Sequence, residues 1–205
     1  MSLPHSSHTN LSASRWDTDA DDDALVAGVR ERDAAAFEVL FRRYYAGLCA
    51  VATRYARSAE SGEEVVQDVL LGVWRQGAAW APTRGARAYL YGAVVNRALN
   101  SRRHERYVTG HAARPGQARE SVSADAALYE DELATALRSA VAQLPERRRL
   151  VFELSRDHGM TYAEIAEALG LSQKTVDQQM GRALKALRAA LVAYAALSLV
   201  FFTGT

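Results

Sequence analysis

The stretch TYAEIAEALGLSQKTVDQQMGRALKAL, Thr161 to Leu187, decides the fold. It reads as one helix, a short corner at Gly170-Leu171-Ser172 and a second helix. Thr161 and Glu164 have the T-x-x-E spacing of a capping box, which starts the first helix. Gly170 suits the left-handed conformation that ends it, and the Ser172 hydroxyl can accept a backbone N–H to start the second. Ile165, Leu169, Leu171, Val176 and Met180 fall where two short helices bury apolar surface against each other. Ala163, Ala166 and Ala168 permit close approach. Two readings fit this shape: an ordinary helical hairpin, or a helix–turn–helix that lays its second helix into the major groove of DNA.

The outer face of the second helix bears on that choice. With Val176, Met180, Ala183, Leu184 and Leu187 turned inward at helical spacing, Gln173, Lys174, Asp177, Gln178, Arg182 and Lys185 point outward. Gln and Arg can bond base edges in pairs, Asp can accept from cytosine N4, and Lys and Arg can pair with phosphate. The candidate duplex-binding set is Gln173, Lys174, Thr175, Asp177, Gln178 and Arg182. Every surface helix has a polar face, and Asp177 repels phosphate, so this face alone does not separate the two readings.

Composition bounds the rest. The chain has 205 residues and a formal net charge of +1, so no global field drives it onto nucleic acid. Charge is unevenly placed instead. Between Arg84 and Arg106 there are six arginines against one acid, Glu105, whereas Asp21 to Asp23 and the stretch from Glu60 to Asp68 are acidic. A single cysteine, Cys49, excludes an intramolecular disulfide and suits a reducing, cytoplasmic setting; its helical context reads as a buried, inert thiol. The start of the chain lacks a basic segment followed by an apolar run, so no secretory signal is expected. No phosphate-binding glycine loop, nucleophile–base pair or metal-ligand cluster is visible, so neither catalytic residues nor a metal or cofactor are expected. Glu64 and Asp68 have no His or Cys nearby to complete a metal site and read as solvated carboxylates.

Along the chain the periodicity is helical throughout, which predicts an all-α fold. Residues 1–20 are polar and read as a disordered extension. From Asp23 to Gln76, Leu25, Val29, Phe37, Leu40, Tyr44, Leu48, Val51 and Tyr55 recur at helical spacing, followed by Val65, Val66, Val69, Leu70 and Val73; Ser58 to Gly62 reads as the break. Pro82 and Gly85 mark Trp80 to Gly85 as a loop. A third helix is expected over 86–106, with Leu90, Val94, Val95 and Leu99 inward. Residues 107–127 carry Gly110, Pro115, Gly116, Ser121 and Ser123 without periodicity, and read as a flexible linker. Helices resume near Leu128, with Pro145 in the first turn of the next one. Twenty-odd linker residues span up to roughly 70 Å when extended, about two turns of duplex, which permits one chain to touch two DNA sites.

Three segments occur in order: GEEVVQDVLLGVWR from Gly62 to Arg75, AYLYGAVVNRALNSRR from Ala88 to Arg103, and LPERRRLVF from Leu144 to Phe152 ahead of the helix–turn–helix. Over most of residues 23–190 this resembles the extracytoplasmic-function sigma factors of bacterial RNA polymerase. The resemblance implies two helical domains, sigma region two over 21–106 and sigma region four over 128–194, with an apolar tail at 195–205. Region two would open the −10 element and region four read the −35 element, on a subunit with no chemistry or small-molecule substrate of its own. Core RNA polymerase, promoter DNA and an anti-sigma factor are the implied partners.

Carried over residue by residue, Gln67, Asp68, Leu71, Trp74 and Arg75 match the helix that docks on the polymerase clamp, although Trp74 fits a core position as well. Asn96, Arg97, Asn100 and Arg103 match the −10 helix. There the amides would hold an unstacked base and the arginines would neutralise phosphate. Trp80 or Tyr89 would stack on that base, or else belong to the core.

The sequence departs from the family in places. Gly92 stands where many members have a basic residue, which is expected to weaken one contact. Asp177-Gln178-Gln179 differs from the commoner basic and serine pattern, so the −35 preference does not transfer. Gly181 costs up to about 1 kcal/mol of helix propensity, which points to a close approach there. From Ala189 to Thr205 no residue is charged. That tail reads as an extension of the last helix on its own domain, as a partner surface or as a membrane contact, being short for a span of about 20 residues. The rival function is a helix–turn–helix regulator that binds operator DNA without polymerase; it leaves the Gln67 and Asn96 segments unexplained.

Overall fold

The computed structural model describes Trp16 and residues 20–56, 58–109 and 128–203, with side chains described except at 103–109, 128–132 and 195–203. The described residues form eight α-helices and no strand. They belong to two compact units, residues 1–116 and 117–205.

The first unit holds α1 (Asp22–Arg30), α2 (Ala34–Tyr55), α3 (Ala59–Gln76), a 3-10 turn (Gly77–Ala79) and α4 (Gly85–Thr109). Helix α2 is central, packing on α1, α3 and α4. Its row Leu40, Tyr44, Leu48, Val51 and Tyr55 is buried, as are Val65, Val66, Val69, Leu70 and Val73 of α3 and Leu90, Val94, Val95 and Ala98 of α4. A Val or Leu among them stabilises the fold by about 1.5–3 kcal/mol when fully buried. The α2–α3 contact is close because of Gly62, where a β-carbon would lie 2.8 Å from the Thr53 backbone nitrogen.

Several boundaries differ from the sequence-based expectation. The pattern from Asp23 onward is interrupted between α1 and α2, where Arg32 adopts φ 64° and Asp33 caps α2 by accepting from Ala35 N and Ala36 N. The break between α2 and α3 is present but falls earlier than Ser58 to Gly62, since α2 ends at its C-cap Ala56. Ser58 is the N-cap of α3 and forms a reciprocal capping box with Ser61, so that Gly62 is already helical. Helix α4 runs on to Thr109, past the expected start of the linker; residues 110–127 lie outside the described residues. Pro145 is the N-cap of α6 rather than its first helical residue.

The expectation for residues 1–20 is corrected at Trp16, which is buried against Gly28 and Ala36. Its indole finds an acceptor in Asp33 (2.7 Å), so a chain segment with little apolar content still supplies one large anchor. At the start of α1, Asp22 accepts from Arg43 (2.7 Å) and from the Tyr44 hydroxyl, tying α1 to α2. Cys49 is half-buried rather than buried. Burial still pushes its thiol up, with the hydroxyl of Tyr45 opposing, which keeps thiolate scarce.

The second unit holds α5 (Leu128–Ala142), α6 (Glu146–Arg156), α7 (Tyr162–Leu169) and α8 (Gln173–Thr203). Helices α5, α6 and α7 all pack on α8. The expected punctuation is present: Thr161 and Glu164 form the capping box, Gly170 is left-handed at φ 62°, and Ser172 accepts from Thr175 N at 3.1 Å. Ile165, Val176 and Met180 are buried, whereas Leu169 and Leu171 are half-buried. The uncharged tail does extend the last helix, to Thr203. Leu187 is the last buried residue described on α8, and Val192 is 69% exposed, so the described part of this extension is not sunk into its domain. Among the described residues no helix is long and apolar enough to cross a membrane.

Candidate nucleic-acid interface

Helices α3 and α4 of the first unit enclose a cleft of about 420 Å³. Asp68, Val69, Gly72 and Gln76 line it from α3; Tyr89, Ala93, Asn96, Arg97 and Asn100 line it from α4. The spacing explains the composition. Positions 68, 72 and 76 form one row of α3, and 89, 93, 96, 97 and 100 one face of α4, so the facing rows meet along the groove between the helices. Small residues, Gly72 and Ala93, leave room at the floor. A β-carbon at Gly72 would meet nothing within 4 Å.

Two polar links bridge this cleft. The Arg97 guanidinium pairs with the Asp68 carboxylate at 2.7 Å, and the Gln76 amide donates to the Tyr89 hydroxyl at 3.2 Å. Asn96, Arg97 and Asn100 are exposed along the rim, so the sequence-predicted −10 residues are brought together, save Arg103, whose side chain lies outside the described residues. Trp80 is fully buried and meets Tyr89 edge-on, ring centroids 5.9 Å apart. Of the two alternatives for Trp80, base stacking or core, the structure shows core; Tyr89 is half-buried on the cleft wall. Gly92 is buried in the bundle.

The candidate polymerase residues of α3 divide between two faces. Gln67, Leu71 and Trp74 lie on the side toward α2. Gln67 and Leu71 are exposed, Leu71 to 47%, and Trp74 is half-buried against Phe37, ring centroids 5.1 Å apart. The Arg32 guanidinium covers the Trp74 ring at 5.8 Å and donates to the Arg75 carbonyl at 3.1 Å. Trp74 is thus neither pure core nor a free anchor. Asp68 turns the other way, into the cleft. Arg75 is exposed.

In the second unit, Gln173, Lys174, Asp177, Gln178 and Arg182 are all exposed at the start of α8, over the buried row Val176, Met180, Ala183 and Leu187. Thr175 stands apart: it is half-buried and its hydroxyl lies 2.8 Å from that of Ser172, inside the helix cap. The close approach expected at Gly181 does not come from the protein, since a β-carbon there would meet nothing within 4 Å.

Gln76 and Gly72 were missed in the sequence. The four-residue row beginning at Asp68 would have pointed to both. Among the described residues no group of His, Cys, Asp or Glu could hold a metal ion.

The order of these parts matches known proteins. Residues 40–107 match the family model for Sigma-70 region 2, and residues 134–187 that for Sigma-70, region 4. The ECF RNA polymerase sigma factor SigL of Mycobacterium tuberculosis is 32% identical over 171 residues, covering 82% of this chain and 96% of that protein. The chain belongs to the ECF RNA polymerase sigma factors. This sigma factor is also similar to SigK of Mycolicibacterium vanbaalenii, 31% identical over 176 residues and covering 82% of this chain and 88% of the relative. Among solved structures it resembles CnrH in complex with the cytosolic domain of CnrY, with a TM-score of 0.60 and 27% identity, over 86% of this chain and 99% of that one. Promoter recognition for RNA polymerase is therefore its function, rather than operator binding without polymerase.

Proposed function

We propose that this sigma factor directs core RNA polymerase to promoters by holding an extruded base of the −10 element in the α3–α4 cleft while the start of α8 reads the −35 duplex. The observation that carries this reading is the cleft itself. Its apolar floor suits a flat heteroaromatic ring, and the amides of Asn96, Asn100 and Gln76 match the donor and acceptor pattern of a base edge. Gln67, Leu71, Trp74 and Arg75, together with Asp68 at the mouth of the cleft, supply the polymerase contacts, with 21–106 as region two, 107–127 as the tether and 128–194 as region four. The chain contributes binding and orientation in the cytoplasm, and polymerase supplies the bond-forming chemistry. CnrH was solved bound to part of CnrY, and an anti-sigma factor is the corresponding partner proposed here.

The test is a cleft filled without harm to the fold. Gly72→Leu places its side chain in open space, so the variant should stay folded and bind core polymerase while losing promoter opening, read by permanganate reactivity of unpaired thymines. Asn96→Ala and Asn100→Ala should show the same separation to a smaller degree. Normal opening by Gly72→Leu would overturn the assignment of the cleft.

A further inference from the structure

Asp68 and Arg97 belong to two different working surfaces in the reading above, one facing polymerase and one facing the −10 strand. They nevertheless hold each other, Arg97 Nη2 to Asp68 Oδ2, at 2.7 Å across the mouth of the cleft. A guanidinium already facing a carboxylate is largely neutralised toward a phosphate, because both anions seek the same N–H donors. We propose that Asp68 is an internal competitor for the DNA backbone: it occupies Arg97 in the free chain, and a basic group of polymerase that takes Asp68 releases Arg97 to the promoter strand.

Two observations separate a switch of this kind from a structural staple. The side chains are 55% and 56% exposed, so either partner can be reached and exchanged by an incoming charge. The helices do not depend on the pair, because Val66, Val69 and Val73 of α3 and Leu90, Val94 and Ala98 of α4 are buried without it. An exposed pair is worth at most about fivefold in an equilibrium. That is too little to lock the site and enough to bias it. The partner surface opposite Asp68 is accordingly a Lys or Arg of polymerase, and binding of polymerase and of DNA become mutually supportive through one guanidinium.

The inference rests on the proposed roles of both residues, and the test keeps them distinct. The full chain, without polymerase, is titrated against a fluorescent single-stranded −10 oligonucleotide at several salt concentrations. Asp68→Asn should bind about two- to fivefold tighter, with a salt slope steeper by about 0.7 for one added phosphate contact. The gain should vanish in the Asp68→Asn/Arg97→Gln double variant, and it should be absent in the holoenzyme, where Asp68 is already taken. No gain, a gain that persists without Arg97, or an equal gain in the holoenzyme would each overturn the competition. If Arg97→Gln alone leaves promoter opening by the holoenzyme unchanged, the −10 role of Arg97 falls and this inference with it. If Arg97→Gln is defective but no Asp68-dependent gain is seen, only the inference falls.

Discussion

Trp16 and Asp33 are joined by a 2.7 Å hydrogen bond from the indole Nε1 to the carboxylate that also caps α2. One carboxylate thereby serves a helix N-terminus and a buried indole lying seventeen residues before it in the chain. Asp33→Ala removes the cap and the carboxylate that accepts from the indole, and is expected to lower stability by about 2 kcal/mol. Urea unfolding followed by far-ultraviolet circular dichroism checks it. Loss of only a few tenths of a kcal/mol would mean that Trp16 is not anchored there.

Glycines at three helical positions should behave in opposite ways. Gly62→Ala drives a β-carbon to 2.8 Å from the Thr53 backbone nitrogen and 3.0 Å from its Cα, atoms that cannot rotate away. It should cost about 1–3 kcal/mol. Gly72→Ala and Gly181→Ala meet open space and gain helix propensity, up to about 1 kcal/mol each. Gly181→Ala should also weaken −35 duplex binding, because Gly181 lies on the exposed face with Lys174 and Gln178, where duplex would be the closely approaching body. Thermal unfolding together with duplex titration separates the two effects.

Alkaline stability should follow Tyr44. Burial first, then its bond to Asp22 and that carboxylate's charge, push its phenol well above the ordinary value of 10.0, with Arg87 opposing. The folded chain therefore holds this proton more tightly than the unfolded chain. The stabilisation is complete below about pH 10 and is lost as pH rises toward the folded value. Tyr44→Phe should flatten the decline in urea midpoint between about pH 9 and about pH 11, leaving the smaller share from Tyr91, whose phenol burial also raises. An unchanged decline would show that Tyr44 ionises freely.

The helix–turn–helix was legible because its determinants are local. A capping box, a left-handed glycine and a serine cap are each fixed within a few residues. The proposed −10 residues were picked out by the family resemblance, and the gathering of Asn96, Arg97 and Asn100 at one cleft follows from helical spacing. What escaped detection depends on contacts between segments. Trp16 had no neighbours in sequence to mark it as core, Trp80 could not be assigned to core or surface, and Gln76 acquires its place from Tyr89 across the cleft. The division of the α3 residues between two faces was visible in principle, since Gln67 and Asp68 are adjacent on a helix and must point about 100° apart.

Arg182→Ala should weaken −35 duplex binding and flatten its salt dependence by about 0.9 if the side chain meets a phosphate. Binding of single-stranded −10 DNA should not change, since Arg182 lies in the other compact unit. A loss on both ligands would contradict the division of labour between the units.

The most direct measurement is run-off transcription by core polymerase with this chain on a selected promoter library. The expected result is promoter-specific initiation that needs the chain, fails with Gly72→Leu at the opening step, and weakens with Arg182→Ala at the −35 step. A chain that neither associates with core polymerase nor changes where it starts would contradict the account.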